Sequence, residues 1–338
     1  MRQSCASYKR WSGVALSAER RALVTGAGGF IGRASIDPLL AAGYEVHAVL
    51  SPAGAAGDLA SADGRGRVRV RRADLLDLTA IDALVDAVRP SHLLHFAWIA
   101  TPGVYWQSAE NHRWLAASQT LLHSFHARGG VRAVMAGSCA EYDWSRVGVC
   151  DEATSPLVQG AAVTPYAACK IALQRSLDEF GSAHGLSTAW GRIFFQYGPG
   201  EPRQRLVASV IVALLTGREA LCTHGRQIRS FLHVADLGAA FAALLDSEVI
   251  GAVNLGSAER ISIAELLEQL ARQMGRPDLL KLGAREAPPG EPPLLLPDTG
   301  RLRDEVGFRP KWALDAGLAD TVRWWRDALA GNASARGS

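Results

Sequence analysis

With 338 residues the chain has room for about two domains, and 48% hydrophobic with 20% charged residues is the make-up of an ordinary globular protein, not a disordered or fibrous one. Thirty-six basic against 33 acidic side chains leave a net charge of +3, too little to imply a polyanionic partner, so no nucleic acid is expected. No run of ~18 uncharged apolar residues occurs, so no membrane-spanning segment is expected either.

Residues 1–20 carry Arg2, Lys9, Arg10 and Arg20 but lack the apolar core of a signal peptide, and are expected to form a flexible tail. Residues 22–25 are a short apolar strand that runs into Gly26-Ala27-Gly28-Gly29-Phe30-Ile31-Gly32 and then a helix over 30–42, kinked at Pro38 and stopped by Gly43. Strand, glycine turn and helix in this order suit a dinucleotide: glycines let the backbone approach the phosphates, and the helix N-terminus faces their charge.

A second strand spans 45–50 and a third 67–70, where Arg65, Arg67, Arg69 and Arg71 alternate with Val68 and Val70 as on an edge strand with a solvated arginine face. Acidic residues are missing where the second strand ends at Leu50-Ser51. A 2′-phosphate would not be repelled there and has Ser51 and Arg33 nearby, which favours NADP(H) over NAD(H), with NAD(H) possible.

The alternation continues with a helix over 78–88, a strand over 93–97, a helix over 110–128 and a strand over 131–136. It ends with a helix over 167–184 and a strand over 187–195. Alternating strands and helices predict a doubly wound parallel Rossmann sheet.

After Tyr197-Gly198-Pro199-Gly200 the pattern changes to helices at 206–215, 263–274 and 316–328 among short strands and a Pro-rich stretch at 287–297. A helix over 236–246 is expected to return to the sheet. The α/β chain is therefore expected to divide into a Rossmann domain (21–197 plus about 226–250) and a smaller interleaved substrate lobe (198–225 and 251–330), with a tail at 331–338.

Tyr166 and Lys170 stand one helical turn apart, where an ammonium lowers the phenol pKa toward a usable range. Ser138, past the end of the strand over 131–136, is placed either to bond a carbonyl oxygen or to satisfy a turn. Trp98, Tyr105, Trp106 and Trp114 form an aromatic concentration that serves as core packing or as the wall of a sugar pocket. Cys169 is expected to face away from Tyr166 and Lys170 and to pack. The five cysteines are scattered without a Cys-x-x-Cys pair, as in a reducing cytoplasm, and the histidines show no metal-ligand spacing.

Together these residues resemble the extended short-chain dehydrogenase/reductase family of nucleotide-sugar epimerases, dehydratases and ketoreductases. Gly26, Gly29 and Gly32 match its glycine motif, Asp74 its adenine-binding aspartate, and Ser138, Tyr166 and Lys170 its catalytic triad. Arg229-Ser230-Phe231-Leu232-His233-Val234-Ala235-Asp236 and Asn254-Leu255-Gly256 resemble stretches beside its nucleotide-sugar pocket, where the arginine approaches the diphosphate.

The resemblance implies cofactor contacts from Gly26, Gly28, Gly29, Phe30, Ile31, Gly32, Arg33, Ser51, Asp74, Leu75, Ala97, Tyr166 and Lys170. It implies substrate contacts from Trp98, Asn111, Ser138, Phe195 and Arg229. Asn111 stands in for a family asparagine whose position holds Trp114, and Phe195 replaces another. Cys139 and Ala140 occupy the positions of the dehydratases' acidic pair, with Glu141 one position late, which disfavours dehydration.

The expected function is NADP(H)-dependent reduction of a nucleoside-diphosphate 4-keto-6-deoxyhexose. The alternatives are a C4 epimerase with retained NAD and a non-catalytic NADP-binding sensor. A cytoplasmic homodimer, joined through the helix bearing Tyr166, is expected from the same resemblance.

Overall fold

The computed structural model describes residues 20–57, 59, 66–146, 148–160 and 163–334. Residues 1–19 of the expected N-terminal tail lie outside the described residues, as do 335–338 at the other end. Seven parallel strands form one sheet: β1 (Arg21–Thr25), β2 (Glu45–Leu50), β3 (Val68–Arg72), β4 (His92–His95), β5 (Arg132–Ser138), β6 (Ser187–Ile193) and β7 (Gly251–Leu255). Their spatial order is β7-β6-β5-β4-β1-β2-β3, so the order of strand addition reverses between β1 and β4. That reversal opens a crevice at the carboxyl edge, where ligands of such sheets bind.

Both faces are covered by helices. On one side α1 (Phe30–Ala34), α2 (Ile36–Ala41) and α7 (Val234–Asp246) bury Ile36, Leu39, Leu237 and Phe241 against Val24, Val46 and Val134. On the other, α3 (Leu78–Val88), α4 (Glu110–Ala127) and α5 (Pro165–His184) bury Ile81, Leu121, Phe125 and Leu177 against Leu23, Leu93 and Trp190. Being covered on both faces is why the strands read as continuous apolar runs. β3 is the exposed edge strand that its arginines predicted, with Arg69 paired to Glu45 at 2.5 Å.

The first helix breaks at Ser35, three residues before the expected kink. Pro38 has no N–H for the Ala34 carbonyl, and the Ser35 hydroxyl instead donates to the Gly32 carbonyl at 2.7 Å.

The second lobe packs α6 (Leu206–Leu215), α8 (Ile263–Gln273) and α9 (Leu314–Ser334) around Val207, Ile211, Leu267, Leu270, Leu318 and Trp325. Its seams differ from those expected. Phe195–Tyr197 leaves the main sheet to pair with Phe231–His233, and Ile228–Arg229 pairs with Ile261–Ser262. The stretch that returns to the sheet is therefore 234–255, ending in β7 beside β6, and not 226–250. α9 continues through Ser334, four residues into the expected tail.

Candidate active site

The turn after β1 is shaped by two glycines. Gly26 has φ +68°, and a Cβ there would stand 2.8 Å from the Ala97 nitrogen. A Cβ on Gly32 would stand 2.2 Å from the Gly26 carbonyl oxygen, so neither position accepts a side chain. Gly28 and Gly29 are exposed, and Gly29 caps α1. This bare, side-chain-free turn at a helix start fits a dinucleotide's phosphates.

The other expected cofactor residues surround it. Phe30, Ile31 and Arg33 are partly exposed on α1, and Ser51 is exposed at the end of β2. Exposed Asp74 and buried Leu75 follow β3, and Ala97 lies beneath the glycine turn. Arg33 reaches over the loop after β2: a Cβ on Gly57 would meet its guanidinium nitrogens at 2.8 Å. Arg72 fastens that loop by donating to the Gly54 carbonyl at 2.7 Å.

Ser138 ends β5 at the carboxyl edge of the sheet, level with Ile193 of β6. Its Oγ accepts from Ala140 N at 3.2 Å and faces the Tyr166 phenol, whose pKa it pulls downward. Tyr166 and Lys170 lie in the first turns of α5, which starts with Pro165 and is capped by Thr164 Oγ1, an acceptor for Ala167 N at 3.2 Å. The Lys170 Nζ lies 5.9 Å from the Tyr166 ring centre, so the three side chains do converge.

The electrostatics differ from the expectation that Lys170 lowers the phenol pKa. Burial raises Tyr166 well above the ordinary phenol range, opposed by the Ser138 hydroxyl and reinforced by Tyr105, Glu141 and Cys139. Lys170 is turned to Ala136, donating to its carbonyl at 2.9 Å, and is only 4% exposed. Burial drives the ammonium down to about 7 although the Glu141 carboxylate draws it upward.

Three expected substrate residues have partners within the protein. Asn111 is fully buried: its amide nitrogen donates to Tyr105 O at 2.7 Å and Ser108 O at 2.8 Å, and its oxygen accepts from Trp98 Nε1 at 2.8 Å. With these partners and no exposed surface, it supports the wall of the site. Arg229 is likewise buried, donating to Glu291 at 3.2 Å and to Pro292 O at 2.8 Å, and stacking on Phe195 at 5.3 Å. Glu291 and the backbone carbonyls thus fix the orientation of its guanidinium beside Phe195. Trp98 remains partly exposed, with its face on Lys170 Nζ at 3.8 Å.

The aromatic concentration divides: Trp98 and Trp114 pack against the core and each other, while Tyr105 and Trp106 surround Tyr166. Tyr105 and Trp106 meet its ring edge-on at 4.8 and 5.5 Å, and Trp144 joins Trp106 at 6.1 Å. Cys169, as expected, faces α4 and lies 3.6 Å from His112 Nδ1.

Sequence reasoning missed the anchor of this region. Glu141, fully buried, accepts from Ser138 N at 2.7 Å, Trp190 Nε1 at 3.0 Å and Arg192 Nε at 2.7 Å. Ser138 and Glu141 form a capping box, and the Ser-x-x-Glu spacing was the signal that could have shown it. Among the described residues no helix is long and apolar enough to cross a membrane, and no cluster of three or more candidate metal ligands occurs.

Residues 22–256 match the model of the NAD dependent epimerase/dehydratase family, and the chain belongs to that family. Similar proteins include a dTDP-4-dehydro-6-deoxy-D-allose reductase of a Streptomyces species, 37% identical over 135 residues. That match spans 38% of this chain and 40% of the relative's length. The UDP-glucose 4-epimerase of Azospirillum brasilense is 28% identical and is matched over 93% of this chain and 94% of its own. Among solved structures, the dTDP-glucose 4,6-dehydratase DesIV of Streptomyces venezuelae, a double mutant with NAD and DAU bound, superposes with a TM-score of 0.77 at 26% identity. That superposition covers 90% of this chain and 97% of DesIV.

Proposed function

We propose that the protein reduces the ketone of a nucleoside-diphosphate 4-keto-6-deoxyhexose. The observation that carries this reading is the gathering of Ser138, at the sheet's carboxyl edge, with Tyr166 and Lys170, whose Nζ lies 5.9 Å from the Tyr166 ring centre, next to the crevice headed by the glycine turn. In this reading the phenol gives its proton to the developing alkoxide, whereas in the epimerase reading the same group would first take one from a 4-hydroxyl. Tyr166 delivers its proton to the keto oxygen, Ser138 bonds the same oxygen, and Lys170 holds positive charge beside them. Gly26, Gly28, Gly29 and Gly32, with the residues around them, hold a nicotinamide dinucleotide, which when bound supplies the hydride for the keto carbon.

Dehydration is disfavoured because Glu141, the nearest carboxylate, is consumed by Arg192, Trp190 and the backbone. The reductase relative supports the 4-keto-6-deoxy substrate. The epimerase relative, matched over nearly the whole chain, supports the second reading, a C4 epimerase with retained NAD. NADP(H) is the preferred cofactor because β2 ends in Leu50-Ser51 with no carboxylate and Arg33 overhangs the loop that follows. A cytoplasmic homodimer through α5 completes the proposal, and light scattering on the purified chain tests its mass.

The test mixes the protein with NADPH and nucleoside-diphosphate 4-ketosugars. Stoichiometric loss of NADPH absorbance is expected, and Tyr166→Phe should lower turnover by about 10²–10⁴ with cofactor affinity little changed. No NADPH oxidation with the ketosugars, together with inversion at C4 of a nucleoside-diphosphate sugar that carries a 4-hydroxyl, would favour the epimerase.

A further inference from the structure

Asn111 is a polar side chain with no exposed surface, yet none of its hydrogen-bonding capacity serves the helix it sits on beyond Ser108 O at 2.8 Å. Its other partners both belong to the wall of the site. The oxygen holds the Trp98 indole by Nε1 at 2.8 Å, fixing the plane of a ring that would otherwise rotate. The Trp98 face lies 3.8 Å from Lys170 Nζ, closer than the ~6 Å within which a cation gains from a ring quadrupole. The nitrogen holds Tyr105 O at 2.7 Å, and the Tyr105-Trp106 pair covers the Tyr166 ring. Trp106 O also accepts from Tyr166 N at 3.3 Å, which ties the same segment to the start of α5.

We propose that Asn111 and Trp98 are positioning residues: one buried amide sets the indole that holds the Lys170 ammonium and the aromatic segment that holds the Tyr166 phenol. The inference rests on the reading of Tyr166 and Lys170 as the reacting groups. Without Trp98, the ammonium would keep Ala136 O as its neutral partner but lose the ring that favours its charged form in a buried place. The titratable groups facing Nζ are Glu141 from the turn after β5, Tyr166 from the preceding turn of α5 and His95 from β4, while Cys169, turned toward α4, acts on it from the other face. All four stay in place when Trp98 is changed.

The test compares Trp98→Leu, Trp98→Phe and Asn111→Asp with the unchanged enzyme and with Tyr166→Phe. Trp98→Leu should lower kcat about tenfold with KM for the ketosugar within about threefold, and move the alkaline limb of kcat about one pH unit lower, because the ammonium is less favoured. Trp98→Phe keeps a ring face and should recover most of the loss. Asn111→Asp keeps an acceptor for the indole but loses the donors to Tyr105 and Ser108 and adds a carboxylate behind the ring, so it should lower kcat while moving that limb higher, opposite to Trp98→Leu.

A readout independent of turnover is the pH dependence of urea stability. The pH at which Lys170 loses its proton, taken from each protein minus its Lys170→Met counterpart, should fall by about one unit in Trp98→Leu. Unchanged kcat and an unmoved titration in Trp98→Leu, with Tyr166→Phe inactive, overturn this inference alone. Full activity of Tyr166→Phe overturns the functional reading, and this inference with it.

Discussion

Replacing Lys170 by Met removes a buried amine while nearly keeping its volume, and the consequence is a change in how stability depends on pH. In the folded protein the amine is pushed down to about 7 from its ordinary 10.5. Between those values the unfolded chain binds a proton that the folded chain does not, so this group's contribution to stability rises with pH. It is complete only above the unfolded value, and it is lost as pH falls toward 7. One proton corresponds to a slope of about 1.4 kcal/mol per pH unit, and the whole gap to roughly 5 kcal/mol. Over the accessible range from pH 7 to 9 the gain is about 2 kcal/mol. Urea unfolding of the unchanged protein and Lys170→Met at pH 6, 7, 8 and 9 measures it, since subtracting one curve from the other removes every other titration. The difference should be flat from pH 6 to 7 and then rise in favour of the lysine protein. A difference that stays level from pH 6 to 9 would refute the placement of Lys170 as a strained, buried amine.

Three further outcomes are expected. Glu141→Leu leaves the buried Arg192 without its carboxylate and should cost about 3–5 kcal/mol, read as a lowered urea midpoint. Gly32→Ala puts a methyl group against the Gly26 carbonyl oxygen and should weaken dinucleotide binding by about tenfold or more in a fluorescence titration. Arg33→Ala should lower kcat/KM for NADPH several-fold more than for NADH; equal effects on both would remove Arg33 from the recognition of a 2′-phosphate.

Much of this was legible in the sequence because the signals are local. The bounds of α3 are those its periodicity predicts, since Asp77 caps its start, accepting from Thr79 N at 3.0 Å, and Arg89 ends it in the left-handed region. The glycine turn declares itself by the strand before it and the helix after. Ser138, Tyr166 and Lys170 are readable because spacing on one helix and position at a strand end set where side chains point.

What stayed hidden depends on partners distant in sequence. Residues 187–195 read as one strand, yet the chain changes sheets at Phe194, and a run of apolar residues does not say which neighbour pairs with it. Nothing in the position of Asn111 on its helix announces its bonds to Trp98 and Tyr105. Nor does the sequence around Arg229 announce its pairing with Glu291, 62 positions later. The phenol of Tyr166 was expected to be lowered by its lysine, whereas the surrounding Tyr105 and Trp106 bury it and burial prevails.

The central claim is that Tyr166 donates a proton while C4 of a ketosugar gains hydrogen from a nicotinamide, and one isotope experiment tests it directly. The protein is given NADPH carrying deuterium at its transferable position and a nucleoside-diphosphate 4-keto-6-deoxyhexose, and the product is analysed by mass and proton spectra. One deuterium at C4 is expected for each NADPH oxidised, with the product formed about 10²–10⁴ times more slowly by Tyr166→Phe. Ketosugar left unreduced and NADPH left intact, by a protein that instead inverts C4 of a nucleoside-diphosphate sugar carrying a 4-hydroxyl, would contradict it.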